Sequence, residues 1–263
     1  MHRPKALVTG AGKRIGRAMA LYLGHRGFDV AVHFATSRDA ADDVVIQLQA
    51  LGVKSVALQA DLLVEDEMQA LVSRAAKALG GPLTLLVNNA SIFEQDTIST
   101  ATRDSWDRHI ESNLRAPVVL TQCFAAQAPA ATVDPTGEPM AQALVVNLID
   151  QRVRKLTPDF MSYTIAKMGL WAFTQTAAQA LAPHVRVNAI GPGPTLQGTH
   201  QTVDEFAAQR QATVLGRGSN THDITAALGY FLDAHGVTGQ LLCTDGGQHL
   251  GWQTRDVDVP QQG

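Results

Sequence analysis

The chain has 263 residues, enough for one large α/β domain that buries its own core without disulfide or metal staples. Hydrophobic residues make up 45% and charged residues 17%, and the formal net charge is -3, which leaves no basic face for nucleic acid and no reason to expect a membrane surface as partner. No segment reaches the roughly 18 apolar residues of a membrane span, and MHRPKALVTG has too short an apolar run for a signal peptide, so the expectation is a cytoplasmic protein. Cys123 and Cys243 stand outside any CxxC pair and read as free thiols in a reducing compartment. The histidines, among them His109, His184, His222 and His249, show no metal-ligand spacing and read as structural or solvated.

In chain order, Ala6-Leu7-Val8 is a short apolar strand that breaks into glycines, followed by a helix over 15–25. A second strand covers 30–34, a helix 40–51 ends at Gly52, and a third strand covers 55–58. The helix over 65–79 has acids in its first turn, which complements the helix dipole, and Gly80-Gly81-Pro82 stops it before a strand over 83–87. Residues 104–126 read as one long helix interrupted near Pro117, and 128–139 (APAATVDPTGEP) as an exposed loop. A strand at 143–148, a long helix at 160–181, a strand at 185–190, a helix at 221–234 and a last strand at 240–244 complete the pattern. Continuous apolar strands alternating with helices predict a doubly wound, Rossmann-like parallel sheet of about seven strands with helices on both faces. One domain over 1–251 is expected, with a polar, irregular substrate lid at 195–218 and a polar tail at 252–263.

The run Thr9-Gly10-Ala11-Gly12-Lys13-Arg14-Ile15-Gly16 follows the first strand and opens the first helix. Glycines there permit a tight turn and let a pyrophosphate approach backbone N–H groups at the positive end of the helix. The spacing is one residue longer than GxGxxG, so its context gives it weight; a purely structural glycine turn is the alternative. The second strand ends His33-Phe34-Ala35-Thr36-Ser37-Arg38 without an acid before Asp39. A carboxylate there would hold a ribose hydroxyl and repel a 2′-phosphate. Arg14 in the turn, with His33 and Ser37, fits a phosphate dianion instead, so NADPH is expected over NADH. Lys13 beside Arg14 reads equally well as a solvated lysine.

Tyr163 and Lys167 stand four apart at the start of a helix, on one face. A neighbouring ammonium is expected to lower the phenol pKa, which suits proton delivery to a developing alkoxide or amide anion. Alone, this spacing is common by chance.

Its company is specific: TGAGKRIG at 9–16, Asp61-Leu62, Asn88-Asn89-Ala90, Asn113 in ESNLRAP, YTIAK at 163–167 and RVNAIGPGPT at 186–195. In these elements and their order the chain resembles the short-chain dehydrogenase/reductase family over nearly its whole length. The resemblance implies that Asp61 contacts the adenine, with Leu62 beside it. It implies that Asn88, Asn89 and Ala90 line the cofactor ribose, with Ser91, Phe34 and Asn147 in the same site. Asn113 would hold a water of the proton relay behind Lys167, and Lys167 would also bind the nicotinamide ribose. Pro192, Gly193 and Thr195 would hold the carboxamide end. Turn formation for Asn88-Asn89 and capping for Asp61 are the alternatives.

Most family members carry a serine at the end of the fifth strand; Val145-Val146-Asn147-Leu148-Ile149-Asp150 places Asp150 there. Arg14, the His33-Phe34 and Ser37 run, Ser91 with Phe93, and Asp150 together resemble the pteridine and dihydromonapterin reductase branch. That resemblance implies a flat pterin stacked on Phe93 and hydrogen-bonded by Ser91, Asp150 and Tyr163, with Asp150 aiding protonation of a ring nitrogen. Thr36 departs from the arginine of the trypanosomatid reductases, and Arg152 and Arg154 read as a solvated loop or contacts for an anionic substrate. A ketone reductase of the same family and a non-catalytic dinucleotide-binding sensor are the competing functions. The resemblance also implies a dimer or tetramer, packed through the helices at 104–126 and 160–181.

Overall fold

A computed structural model describes residues 3–198 and 201–252; most of the expected polar tail and residues 199 and 200 of the expected lid lie outside them. β1 (Lys5–Val8), β2 (Asp29–Phe34) and β3 (Ser55–Gln59) alternate with α1 (Arg14–His25), α2 (Arg38–Ala50) and α3 (Glu65–Leu79). Glu65, Asp66 and Glu67 fill the first turn of α3, and Gly80 closes it in the left-handed conformation at φ +81°. β4 (Leu85–Asn88) leads into α4 (Arg103–Ile110), a π-helical turn (Glu111–Arg115) and α5 (Ala116–Gln127). The expected interruption near Pro117 takes the form of that π-helical turn at 111–115, which runs directly into α5; Pro117 follows in the first turn of α5 and has no N–H to return to the preceding turn.

The expected loop at 128–139 contains a short antiparallel hairpin, β5 (Thr132–Val133) with β6 (Pro139–Met140). β7 (Ala143–Leu148), a 3-10 turn (Gln151–Val153), α6 (Met161–Leu181) and β8 (Val185–Pro192) follow. α7 (Val203–Gln211), α8 (Thr221–Asp233) and β9 (Leu241–Thr244) complete the chain. α7 corrects the expectation of an irregular 195–218: Thr202 Oγ1 accepts from Glu205 N at 3.2 Å and Glu205 Oε2 accepts from Thr202 N at 2.8 Å, a reciprocal cap.

The main sheet has seven strands, all paired in parallel, in the order β3-β2-β1-β4-β7-β8-β9. Side chains alternate across it. Ala6 and Val8 join one core with Met19, Leu23, Leu48 and Phe231, while Leu7 joins the other with Met68, Leu71 and Phe124. α1, α2 and α8 cover one face and α3, α5 and α6 the other. The winding reverses at β1, which has β2 on one side and β4 on the other. Loops leaving the carboxyl ends of β1 and β4 therefore diverge and open a crevice. No described helix is long and apolar enough to cross a membrane.

Phe124 is fully buried in the core under α3 and α5. Phe124→Ala is expected to lower unfolding free energy by about 3–5 kcal/mol, measured by urea denaturation followed by circular dichroism; a loss under 1 kcal/mol would mean that this core collapses around the cavity.

Candidate active site

The turn after β1 is shaped by lack of space. Gly10 has φ +61°, and a Cβ on Gly16 would run into the Gly10 carbonyl and come within 2.6 Å of Asn89 Nδ2. Thr9 and Asn89 lock the turn onto the end of β4. Asn89 Nδ2 donates to Thr9 O at 2.8 Å, and Thr9 Oγ1 accepts from both Asn89 N and Ala90 N at 2.9 Å. α1 starts without a side-chain cap and without an acid in its first turn, so its N-terminal amides suit an external anion.

His33 does not face a phosphate. Its Nδ1 accepts from Gly10 N at 3.1 Å and its Nε2 donates to Ala60 O at 3.0 Å, which uses both ring nitrogens. Burial pushes its pKa down to about 4, so the ring is a neutral brace behind the glycine turn. Phe34 is likewise a core residue, with the Arg38 guanidinium over its ring at 5.1 Å. Arg14, also at positive φ (+53°), donates to Leu196 O at 3.1 Å and Gln197 O at 3.0 Å. It therefore ties the turn to the lid, apart from Ser37, which precedes α2.

A cleft of about 530 Å³ runs from this turn to the carboxyl end of β7. Gly10, Lys13, Arg14, Ile15, Gly16, Asn89, Ala90, Ser91 and Phe93 line it, as do Asp150, Tyr163, Lys167, Pro192, Gly193 and Thr195. Gly12, Asp61, Leu62, Asn113 and Asn147 stand outside that lining. Gly12 packs on α2, where a Cβ would sit 3.2 Å from Ala41 N. Asp61 Oδ1 accepts from Leu63 N at 3.0 Å, the turn-forming role, and Leu62 is buried beside it. Asn147 is fully buried, accepting from Asn88 Nδ2 and donating to Thr174 Oγ1, both at 2.9 Å, and so links β4, β7 and α6. Asn113 spends its side chain on the loop after β4: Oδ1 accepts from Ile92 N at 2.9 Å and Ser91 Oγ at 3.1 Å, and Nδ2 donates to Ile92 O at 2.8 Å.

At the centre, Tyr163 Oη donates to Asp150 Oδ2 at 3.1 Å, and Asp150 Oδ1 accepts from Arg152 N at 2.8 Å. Lys167 Nζ donates to Leu148 O at 2.8 Å and lies 5.6 Å from the Tyr163 ring centroid. Burial raises the Asp150 pKa. Burial and the adjacent carboxylate raise that of Tyr163 well above its ordinary value. Burial pushes Lys167 down to about 8. The expected lowering of the phenol by Lys167 is thus reversed: desolvation and Asp150 outweigh the ammonium, so Tyr163 holds its proton, and burial shifts Asp150 toward its acid form.

Several contributors escaped sequence reasoning. Phe93 is 53% exposed and stacks on Phe160 with centroids 4.3 Å apart and planes 7° apart. Phe160 has φ +58°, a strained value for a bulky residue, and its N–H donates to Asp96 O at 2.8 Å. Behind them lies a buried chain: Glu94 N donates to His109 Nε2 (3.1 Å), His109 Nδ1 to Ser162 Oγ (2.7 Å), and Ser162 Oγ to Asp96 Oδ2. This chain fixes the Phe93 loop against the helix that carries Tyr163. Arg210 holds the lid root, donating to the carbonyls of Pro194, Gly218 and Ser219. Nothing in FMSY announces a left-handed Phe160, whereas Thr202-x-x-Glu205 was a readable capping signature.

Residues 4–208 match the family model described as short chain dehydrogenase, and the chain belongs to that family. It is 39% identical to FolM alternative dihydrofolate reductase 1 of Brucella canis, solved with NADP, over 97% of this chain and 98% of that one (TM-score 0.88). The angucycline C-6 ketoreductase LanV, solved with NADP, is 28% identical over 94% of this chain and 96% of that one (TM-score 0.85). A 3-oxoacyl-[acyl-carrier-protein] reductase, FabG of Staphylococcus aureus strain Mu50, is 31% identical over 93% of this chain and 98% of its own length.

The buried neutral His33 gives a pH signature. Its folded pKa is below its unfolded value of about 6.5, so its contribution is complete above pH 6.5 and is lost as pH falls through about 4. The shift corresponds to about 3 kcal/mol. Denaturant titrations of wild type and His33→Asn across this range are expected to show a shallower acid loss in the variant; parallel curves would remove His33 as a source of acid sensitivity.

Proposed function

We infer that the protein is an NADPH-dependent reductase that delivers hydride to a C=N bond of a dihydropteridine. The observation that carries this is the buried hydrogen-bonded pair Asp150 and Tyr163, joined at 3.1 Å where a ketone reductase of the family has a serine, with burial raising the pKa of both. The identity to FolM, an alternative dihydrofolate reductase solved with NADP, supports the same reading.

The glycine cradle and the open N-terminus of α1 suit the pyrophosphate. Lys13, with Ser37 and Arg38 at the start of α2, suits the 2′-phosphate in place of His33 and Arg14. Lys167 suits the nicotinamide ribose, and Pro192, Gly193 and Thr195 suit the carboxamide. When bound, the dinucleotide supplies the hydride. The chain's own task is the proton. Tyr163 Oη lies in the cleft with its proton retained and gives it to the substrate nitrogen that gains electron density. Asp150, whose affinity for a proton burial raises, relays a proton to Tyr163 Oη across their hydrogen bond. The Lys167 ammonium offsets the negative charge that passes through the tyrosine. Phe93 offers an apolar face to the heteroaromatic ring, and Ser91, fixed by Asn113, a polar contact to its edge. Copies of the chain assemble through α4 and α6, whose outer faces expose Trp106, Ile165 and Met168.

NADPH consumption with dihydrobiopterin and with a ketone panel tests the reading: turnover of ketones alone would sink it. Asp150→Ser is expected to lower kcat for the dihydropterin by about 100-fold while raising ketone turnover. An unchanged substrate ratio would show that Asp150 is outside the proton path. Reductive kcat/KM is expected to fall as pH rises past about 8, because Lys167 loses its charge. A profile flat to pH 10 would contradict that assignment.

A further inference from the structure

The cleft is unevenly charged. Among the described residues Asp150 is the one acid in its lining, against Lys13, Arg14, Arg152 and Lys167. Lys13 and Arg14 stand at the glycine turn and Lys167 is buried beneath Tyr163, which leaves Arg152 as the cation of the opposite, substrate end. Arg152 is half-buried and has no carboxylate within ion-pair distance among the described residues. It is nevertheless positioned. Its Nη1 donates to Thr157 Oγ1 at 2.6 Å, and the guanidinium carbon lies 4.8 Å from the Phe160 ring centroid. Phe160 stacks in turn on Phe93, so aromatic surface runs from the ring site to the guanidinium. Lys155, one turn on, donates to Gln248 O at 3.5 Å on the cleft rim and also lacks an acidic partner among the described residues.

A reduced pterin ring is uncharged and finds its polar partners in Asp150, Tyr163 and Ser91. It has no use for a second cation beyond Phe160. A planar guanidinium resting against an aromatic face, with donors to spare, suits a carboxylate, which it can grip through two parallel bonds. We propose that Arg152 and Phe160 form a specificity-determining subsite for a carboxylate-ended tail on the substrate, the tail lying along the Phe93–Phe160 stack and its acid on Arg152. This subsite rests on the dihydropteridine reading of the ring site.

The test compares dihydrofolate, which carries an acidic aryl tail, with dihydrobiopterin, whose tail is short and neutral. Wild type is expected to favour dihydrofolate in kcat/KM by about tenfold, and Arg152→Met to erase that ratio through KM for dihydrofolate. The ratio is the readout because the Arg152 charge also acts on Asp150 and Tyr163, so turnover of both substrates moves together. Arg152→Lys is expected to keep part of the preference, and added salt to raise KM for dihydrofolate alone. NADPH binding by fluorescence titration certifies that each variant is folded; should Arg152→Met fail it, Arg152→Gln and the wild-type salt series decide. An equal effect of Arg152→Met on both substrates, or a wild type that reduces dihydrobiopterin but not dihydrofolate, overturns the subsite and leaves the ring reading intact. A wild type that reduces neither, but reduces ketones, overturns the ring reading itself.

Discussion

The close approach of α1 to the turn after β1 is the constraint on which the rest is built. Gly16 packs so tightly on the Gly10 carbonyl that no side chain fits between them. That contact aims the open N-terminus of α1 across the mouth of the sheet instead of away from it. Asn89 and Thr9 extend the constraint to β4, and His33 extends it to β2 and to Ala60. Three strands are thereby held in register at the one place where the winding reverses. The anion site and the divergence that makes the cleft follow from the same contact.

Burial then sets the chemistry. In water, a carboxyl, a phenol and an ammonium near one another would settle with the carboxylate charged. Here Tyr163 and Lys167 are almost fully enclosed, and desolvation raises the two acids and lowers the base. Each shift favours the uncharged form over a fixed ion pair. The serine of the ketone-reducing pattern has a hydroxyl to steady a carbonyl oxygen; in the proposed reaction a carboxyl of raised pKa would add a second proton source. That difference matters little for an alkoxide and much for a ring nitrogen that must end as N–H.

The order of strands and helices was legible because the central strands β1, β2, β4, β7 and β8 are largely apolar runs buried on both faces, and the helices that cover them carry apolar stripes. The parallel, seven-stranded arrangement follows from that alternation. Contacts that depend on side-chain direction were not legible. His33 stands in a run that reads as phosphate-binding, yet its ring turns inward because Gly10 N and Ala60 O await it there. Arg14 stands in the turn but reaches the lid, since its positive φ directs the side chain across the cleft. Asn113 and Asn147 are polar residues of the site's frame, each satisfied by neighbours remote in sequence. Phe160 was invisible because its left-handed backbone is imposed by Asp96, more than sixty residues earlier in the chain.

The buried chain through His109, Ser162 and Asp96 shows how such a strained residue is maintained. A left-handed phenylalanine costs of order 1–3 kcal/mol, which an exposed loop would relax. Asp96 resists relaxation at three points: its carbonyl accepts from Phe160 N, and its carboxylate accepts from Ser162 N and Ser162 Oγ. His109 closes the loop by bonding Ser162 on one side and Glu94 N on the other. The same bonds therefore fix the start of the helix bearing Tyr163 and both rings of the Phe93–Phe160 stack. Strain at Phe160 is tolerated because relieving it would break a buried polar chain, in which each unpaired group costs about as much as the strain itself. The aromatic wall and Tyr163 are in this way parts of one rigid unit, and in the proposed reaction a flat substrate on the first would be presented at a fixed height to the second.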